Sequence, residues 1–231
     1  PNMPEYCSVS LLRDLMTSAT MMSLHNVWNA FNDQQIVVES VSLYCPAHVP
    51  VGGDLTQDLN WVANDPNVAA QRGATRSDLV SAVVPSAVFC GLAFVNYPTR
   101  SSDARFAFSV VRFDCMFDDF SLAHEIGHNL GMNHDRFEKG GGTASDCNYG
   151  FTILQNGNPA FVTVMAYDDF CKSVGVTCGR AGIHSNPEML TVLDLTVQYG
   201  IDCSVMQTGN NGSANNVGQL QKAAPVAAGW Q

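Results

Sequence analysis

The run His124-Glu125-Ile126-Gly127-His128-Asn129-Leu130-Gly131-Met132-Asn133-His134-Asp135 constrains this 231-residue chain more than any other segment. Leu122, Ile126 and Leu130 recur at i, i+4 and i+8, the spacing of one helical face. The segment Asp118–Leu130 is therefore expected to be a buried helix, with Asp118 or Asp119 as its N-cap. Residues four apart on a helix lie about 5–6 Å apart on one side, so His124 and His128 can share one ion. Gly131 tolerates positive φ. A bend there ends the helix and brings His134 back as a third ligand. Three protein ligands with one position left open is a catalytic zinc layout, whereas structural sites are closed by four. Neutral imidazole suits zinc without any thiolate. Glu125 can reach a metal-activated water without being a ligand, and is the candidate general base. A bare H-E-x-x-H arises by chance on buried helices; the longer pattern here is far more specific. His25, His48 and His184 read as ordinary polar or internally satisfied residues.

Composition excludes some alternatives. Asp and Glu outnumber Lys and Arg by 21 to 11, a formal net charge of -10, which disfavours a phosphate-rich nucleic acid partner. Hydrophobic residues make up 46%, enough for a sizeable core and against disorder. The cysteines at 7, 45, 90, 115, 147, 171, 178 and 203 form no C-x-x-C pair, so a cysteine zinc site or thioredoxin-like motif is not expected. Their even number fits disulfides and an oxidising compartment; spacing alone leaves the connectivity open. The most apolar stretch, Leu79–Val95, is broken by Pro85 and Gly91 and falls short of a membrane span of about 20 residues. It reads as two buried strands. The chain starts at Pro1 without Met, so a trimmed or processed form is expected.

Along the chain, Tyr6–Leu12 reads as a short strand. Arg13–Asn32 reads as a helix with Leu15, Ala19, Met22, Val27, Ala30 and Phe31 along one face. Ile36–Tyr44 is Val/Ile-rich and reads as a strand, followed by a turn at Pro50–Asp54. Leu55–Ala63 reads as a helix capped by Asp54 or Thr56 and stopped by Asp65-Pro66. Asp78–Val84, Cys90–Tyr97 and Arg105–Phe113 read as strands, the last with Phe106, Phe108, Val110 and Arg112 alternating. Regular structure is expected to thin out after residue 137, with a Gly-rich loop at Gly140–Thr143 and a Gly/Asn-rich one at Gly209–Asn216. Asn216–Ala224 reads as a closing helix ended by Pro225. Asn211-Gly212-Ser213 fits a glycosylation acceptor. No linker separates two cores, so one catalytic unit with two lobes is the economical reading.

The extended histidine run resembles that of the metzincin metallopeptidases, whose pattern includes a downstream Met-turn; Val164-Met165-Ala166-Tyr167 is similar to that turn. Asp135 after the third histidine resembles the adamalysin/reprolysin branch. Tyr149-Gly150-Phe151, Ser185-Asn186-Pro187, Asn215-Asn216 and Ala224-Pro225-Val226-Ala227 resemble its microbial members. The resemblance covers about residues 79–228 well and the first 75 poorly. It implies an α/β (α+β) metzincin-type fold: a twisted, mostly parallel sheet with an antiparallel edge strand, an active-site helix, and an irregular disulfide-braced C-terminal lobe. One catalytic domain would span 1–231, with an upper lobe to about 131 and a lower lobe from 132.

The same resemblance implies roles. His124, His128 and His134 would hold Zn2+, with calcium a further candidate cofactor. Met165 would be an apolar floor beneath the metal. Adamalysins usually carry proline where Tyr167 stands. Astacins and serralysins resemble this chain there, which implies a phenol that helps stabilise the oxyanion; the alternative is a buried structural tyrosine. Cys90-Gly91-Leu92-Ala93-Phe94-Val95 resembles the edge strand above the cleft, with Gly91, Leu92 and Ala93 binding an extended peptide. The S1′ pocket wall would come from about Asp168–Asn186. Asp135 would be a buried hydrogen-bonded carboxylate, and Gly127 would allow close packing beside the metal. The pairings that go with the resemblance are Cys90–Cys115 and Cys147–Cys171, leaving Cys7–Cys45 and Cys178–Cys203. The resemblance implies a secreted single enzyme: a monomeric zinc endopeptidase on protein or peptide substrates, made as a zymogen, without nucleic acid or membrane partners. Two alternatives stand beside it. One is the proteolytic subunit of a larger toxin or surface assembly, docked through the apolar end Ala223–Trp230. The other is a silent binding module on the same fold, which loss of Glu125 or a histidine would mark; all four are present.

Overall fold

The computed structural model describes residues 10–29, 37–46, 53–85, 87–141, 146–186 and 214–230. Three short apolar runs form its first sheet: β1 (Val80–Val84), β2 (Gly91–Ala93) and β3 (Phe108–Arg112), in the order β1-β3-β2. β1 runs parallel to β3, from Val80↔Phe108 to Val84↔Arg112. β2 runs antiparallel, with Gly91 opposite Val111 and Ala93 opposite Ser109. Among the described residues β2 is an antiparallel edge, and the sheet holds one parallel and one antiparallel pairing. Val37–Pro46, which covers most of the strand expected at Ile36–Tyr44, joins no ladder. Val38 and Leu43 still pack on the core. A Val/Ile-rich run becomes a strand only where a neighbouring edge receives it.

Because side chains alternate across a strand, β3 feeds two cores. Phe108 and Val110 pack with Val84 against α2 (Leu55–Asn64) and Val68 of α3 (Pro66–Thr75). Val111 packs on the opposite side with α4 (Ser121–Asn129). Both faces are buried, so the alternation expected of β3 described only one of them. Asp54 caps α2, accepting from the backbone N–H of Thr56 and Gln57. Asp65-Pro66 does stop that helix, but it also starts α3, which the sequence reading missed. Asp65 accepts from Asn67 and Val68, and Pro66 takes the first helical position, where its missing N–H costs nothing.

α1 (Ser10–Asn29) begins three residues before the expected start. Ser10–Leu12, expected as strand, are helical, while Tyr6–Val9 lie outside the described residues. Its buried side carries Met16 and Leu24, whereas Leu15 and Met22 are 54% and 63% exposed. Apolar residues occur around this helix, so periodicity alone chose the wrong face.

The second half holds more regular structure than expected. β4 (Asn133–Asp135) pairs parallel with β5 (Tyr149–Gly150). β6 (Thr152–Gln155) and β7 (Asn158–Val162) form an antiparallel hairpin, and β8 (Gly179–Arg180) adds in parallel to β7. Asn156 and Gly157 turn the hairpin at φ 52° and 79°, the positive-φ pair of a tight two-residue loop. α5 (Asp169–Ser173) follows the Met165 turn. α6 (Asn216–Ala227) is capped by Asn215, which accepts from Gly218, and runs through Pro225 instead of ending there. Ala223, Ala227 and Trp230 are buried in the main core, and the Trp230 indole donates to the Arg100 carbonyl at 3.0 Å. These three residues pack on the chain's own core, while Pro225, Ala228 and Gly229 of the same segment are exposed.

Cys90 is bonded to Cys115, tying the start of β2 to the turn before α4, as the resemblance implied. Cys171 is bonded to Cys178, which overturns both Cys147–Cys171 and Cys178–Cys203. Gly175, at φ 82°, turns the chain back after α5 so that the two sulfurs meet. Cys45 and Cys147 are also disulfide-bonded; Cys7 and Cys203 lie outside the described residues, as do His48 and the Asn211 acceptor. No described helix is long and apolar enough to cross a membrane.

Candidate active site

Every residue of α4 is buried, so this helix is held from all sides. Neither Asp118 nor Asp119 caps it. Phe120 precedes it at φ 53°, its ring packed so tightly on Gly182 that a Cβ there would come within 2.7 Å. The buried Asn129 amide donates to the carbonyls of Phe94, Phe106 and Phe108 at 3.0–3.2 Å, fastening the helix end to the sheet. At its C-terminus the Gly131 N–H donates to the His128 carbonyl and the Met132 N–H to the Gly127 carbonyl, both at 2.9 Å. This is the Schellman pattern with its left-handed residue in place, since Gly131 has φ 82°. A Cβ at Gly131 would lie 2.6–2.8 Å from the Gln219 amide, the Asn96 carbonyl and the Thr99 hydroxyl. Glycine is thus required there by conformation and by space.

The bend delivers His134. Its Nε2 lies 3.2 Å from that of His124 and 3.0 Å from that of His128, and one ligand atom from each histidine falls within a 4.8 Å group. The Nδ1 of His124 donates to the Val164 carbonyl at 2.7 Å, and that of His128 to the Met132 carbonyl at 2.8 Å. Those bonds commit the ring hydrogens to Nδ1 and turn bare Nε2 lone pairs toward one another. Burial holds all three imidazoles neutral: His128 is pushed down to about 4, His134 to about 3 and His124 well below its ordinary value. Nitrogens bound tetrahedrally to one zinc at about 2.0–2.1 Å would sit about 3.3 Å apart. The spacing and the neutral nitrogen donors fit such an ion.

Glu125 is buried beside this cluster, and a Cβ at Gly91 would collide with its side chain. Burial pushes its carboxyl up to about 8, against the opposing pull of Arg180. Gly91 and Leu92 of the edge strand line the same cavity, whose volume is about 400 Å³; Ala93 does not line it. Met165 is fully buried, and its sulfur would lie 2.5 Å from a Cβ at Gly127. That contact explains glycine inside the helix. The Tyr167 ring lies 4.3 Å from the His134 ring and stacks on His124 at 5.8 Å between centroids. Burial, then the charge of Glu125, pushes its phenol up to about 12. Asp135 is buried outside the histidine group and accepts from the backbone N–H of Tyr167 at 2.8 Å and of Glu138 at 3.1 Å. His184 is buried with no partner for either ring nitrogen among the described residues, and burial pushes it down to about 4.

Arg180 falls within Asp168–Asn186, the segment expected to wall the S1′ pocket, but was not singled out by the sequence. Arg180 lines the cavity with Phe89, Asp119, Ser121 and Tyr167. Its Nη1 donates to the Asp119 carbonyl at 2.9 Å and lies 3.3 Å from that carboxylate; its Nη2 donates to the Ala166 carbonyl at 3.3 Å. The Asn156-Gly157 dipeptide was the available signal, because it predicts the hairpin whose second strand carries β8.

The profile of the metallo-peptidase family M12B, reprolysin-like, matches residues 42–177. That span and the histidine geometry define a metallopeptidase of the reprolysin-like class. The chain belongs to that family. The match starts upstream of residue 79, so part of the segment judged to resemble it poorly falls within it. A peptidyl-Asp metalloendopeptidase of Stenotrophomonas maltophilia strain R551-3 is 30% identical over 142 residues, covering 59% of this chain and 32% of that protein. One from strain K279a is 26% identical over 180 residues, covering 73% of this chain and 41% of that protein. The chain thus aligns with less than half the length of either relative. A solved structure titled as a chaperone-substrate complex shares the fold at TM-score 0.56 and 18% identity, over 93% of this chain and 30% of that one.

Proposed function

We propose that this chain is the catalytic part of a secreted zinc endopeptidase that hydrolyses peptide bonds of proteins outside the cell. The observation that carries the reading is the His134 Nε2 lying 3.2 and 3.0 Å from those of His124 and His128, beside a buried carboxyl. His124, His128 and His134 are the ligands. When bound, zinc supplies a Lewis acid that lowers the pKa of a water and polarises a carbonyl. The chain's own residues do the rest. The edge of β2 offers the backbone of Gly91, Leu92 and Ala93 to an extended peptide. Glu125 takes the proton of the attacking water and passes it to the leaving amine. The charge of zinc bound beside it would favour the carboxylate, the form able to accept that proton. The Tyr167 phenol, neutral at such pH, donates to the oxyanion as charge develops. Met165 supports the imidazoles from below, and residues 1–131 and 132–231 form the two walls of one catalytic unit. The relatives' name, peptidyl-Asp metalloendopeptidase, supports carrying an aspartyl residue at the cleaved bond over to this chain.

The test is digestion of a peptide library with and without a zinc chelator, beside metal analysis of the pure protein. Cleavage that stops on chelation and returns with zinc is expected. Cleavage indifferent to the chelator, or a protein that binds no divalent cation, overturns the reading.

A further inference from the structure

Arg180 is the one Lys or Arg side chain among the residues lining the cavity beside the histidine cluster. It is rigidly mounted. β8 holds its backbone opposite Val162, and its side chain is 14% exposed. A guanidinium carries five N–H donors and no acceptor. Here protein oxygens engage Nη1 twice and Nη2 once, and the buried Nε has no partner among the described residues. Nη2 thus keeps an N–H that none of these oxygens uses, from which a carboxylate in the cavity can accept a charge-assisted bond. The nearest countercharge is a partial one. The Asp119 carboxylate sits at 3.3 Å and is 49% exposed, so it shares itself with solvent. The other acid lining the cavity, Glu125, is the residue given above to the attacking water. Donor capacity is therefore in excess on this wall.

We propose that Arg180 selects the substrate, accepting an acidic side chain next to the scissile bond. The proposal rests on the endopeptidase reading above and adds the residue that enforces its substrate class. A neutral amide of the same shape would leave the guanidinium as under-used as it is in the empty cavity, so discrimination should fall between Asp and Asn.

The experiment measures kcat/KM on matched peptides carrying Asp or Asn at each position flanking the cleaved bond, for the zinc-loaded wild-type chain, Arg180→Met, Arg180→Lys and Asp119→Asn. The wild type should favour Asp at one flanking position by about 100-fold or more, as expected where a rejected analogue strands buried donors. Arg180→Met should reduce that ratio to within about threefold of unity, and Arg180→Lys should retain part of it. Because Arg180 also holds two backbone carbonyls, the Asp:Asn ratio is taken within each variant, so a loss of folded protein cancels. Asp119→Asn leaves Arg180 in place and removes its competitor, and should raise the ratio. An unchanged ratio in Arg180→Met, or a ratio that does not rise in Asp119→Asn, overturns the proposal. Chelator-sensitive cleavage blind to acid at either position sinks this inference alone. Chelator-insensitive cleavage sinks the parent reading as well.

Discussion

The two sides of the cleft are built by opposite means. On one side, His124, Glu125, His128 and His134 come from eleven consecutive residues on a helix and its closing turn, and burial leaves every one of them favouring its neutral form. On the other, Asp119, Ala166, Tyr167 and Arg180 come from segments up to 61 residues apart, and a charged guanidinium is brought in by strand register. The first side needs only helix geometry and one glycine. The second needs a hairpin, a parallel bridge to β8 and the turn around Met165. The lesson is a division of labour: local structure presents the chemistry, and long-range pairing presents the surface that meets the substrate.

The largest expected effect tests the local side. Glu125→Gln keeps the shape and removes the base, so kcat/KM should fall by about 10³-fold, within the range for a positioned general base, while zinc content by metal analysis stays at the wild-type level. Loss of metal together with activity would mean that Glu125 supports the ligands instead. Next is Gly131→Ala. The added methyl meets two side chains and a backbone carbonyl at 2.6–2.8 Å and must hold a left-handed conformation. Left-handed strain of about 1–2 kcal/mol and overpacking of about 1–3 kcal/mol both apply, so urea unfolding should show a loss of about 3 kcal/mol, with weakened zinc retention. Third, Tyr167→Phe should lower kcat by about 10²-fold with KM little changed, the cost of one oxyanion donor. Unchanged turnover would reduce that residue to packing.

Much of the local side was legible. The periodicity of Leu122, Ile126 and Leu130 and the glycine after them specify a helix, its end and the return of His134, because each rests on contacts a few residues apart. The start of that helix was less so. Asp119 is a good N-cap by type, but Arg180, 61 residues on, engages it, and Phe120 takes the position instead. The same logic governs the cysteines. Cys90–Cys115 joins segments that the resemblance already placed side by side, whereas Cys171–Cys178 depends on a tight return at Gly175 that spacing does not announce. Val37–Pro46 has strand composition and no ladder, since composition cannot supply a partner edge. Asp65-Pro66 was taken only for a break and Asn156-Gly157 was not read at all, although Pro favours the first helical position and Asn-Gly a hairpin turn.

The smallest expected effect probes the long-range side with the same chemical change. Gly157 has φ 79°, close to the 82° of Gly131, but a Cβ there meets nothing within 4 Å. Gly157→Ala should therefore carry the conformational term alone, about 1 kcal/mol in urea unfolding. The difference between the two alanine variants isolates what crowding adds at the metal-side bend. Their functional effects should also separate. The hairpin sets the register of Val162 against Arg180 and touches none of the histidines, so Gly157→Ala should leave zinc affinity at the wild-type value. Any loss should appear in the Asp:Asn ratio, because a guanidinium displaced by a fraction of an ångström forfeits a directed hydrogen bond before it forfeits its charge. A zinc affinity that falls with the hairpin would show that the two sides are mechanically one, and the division drawn between them would have to be abandoned.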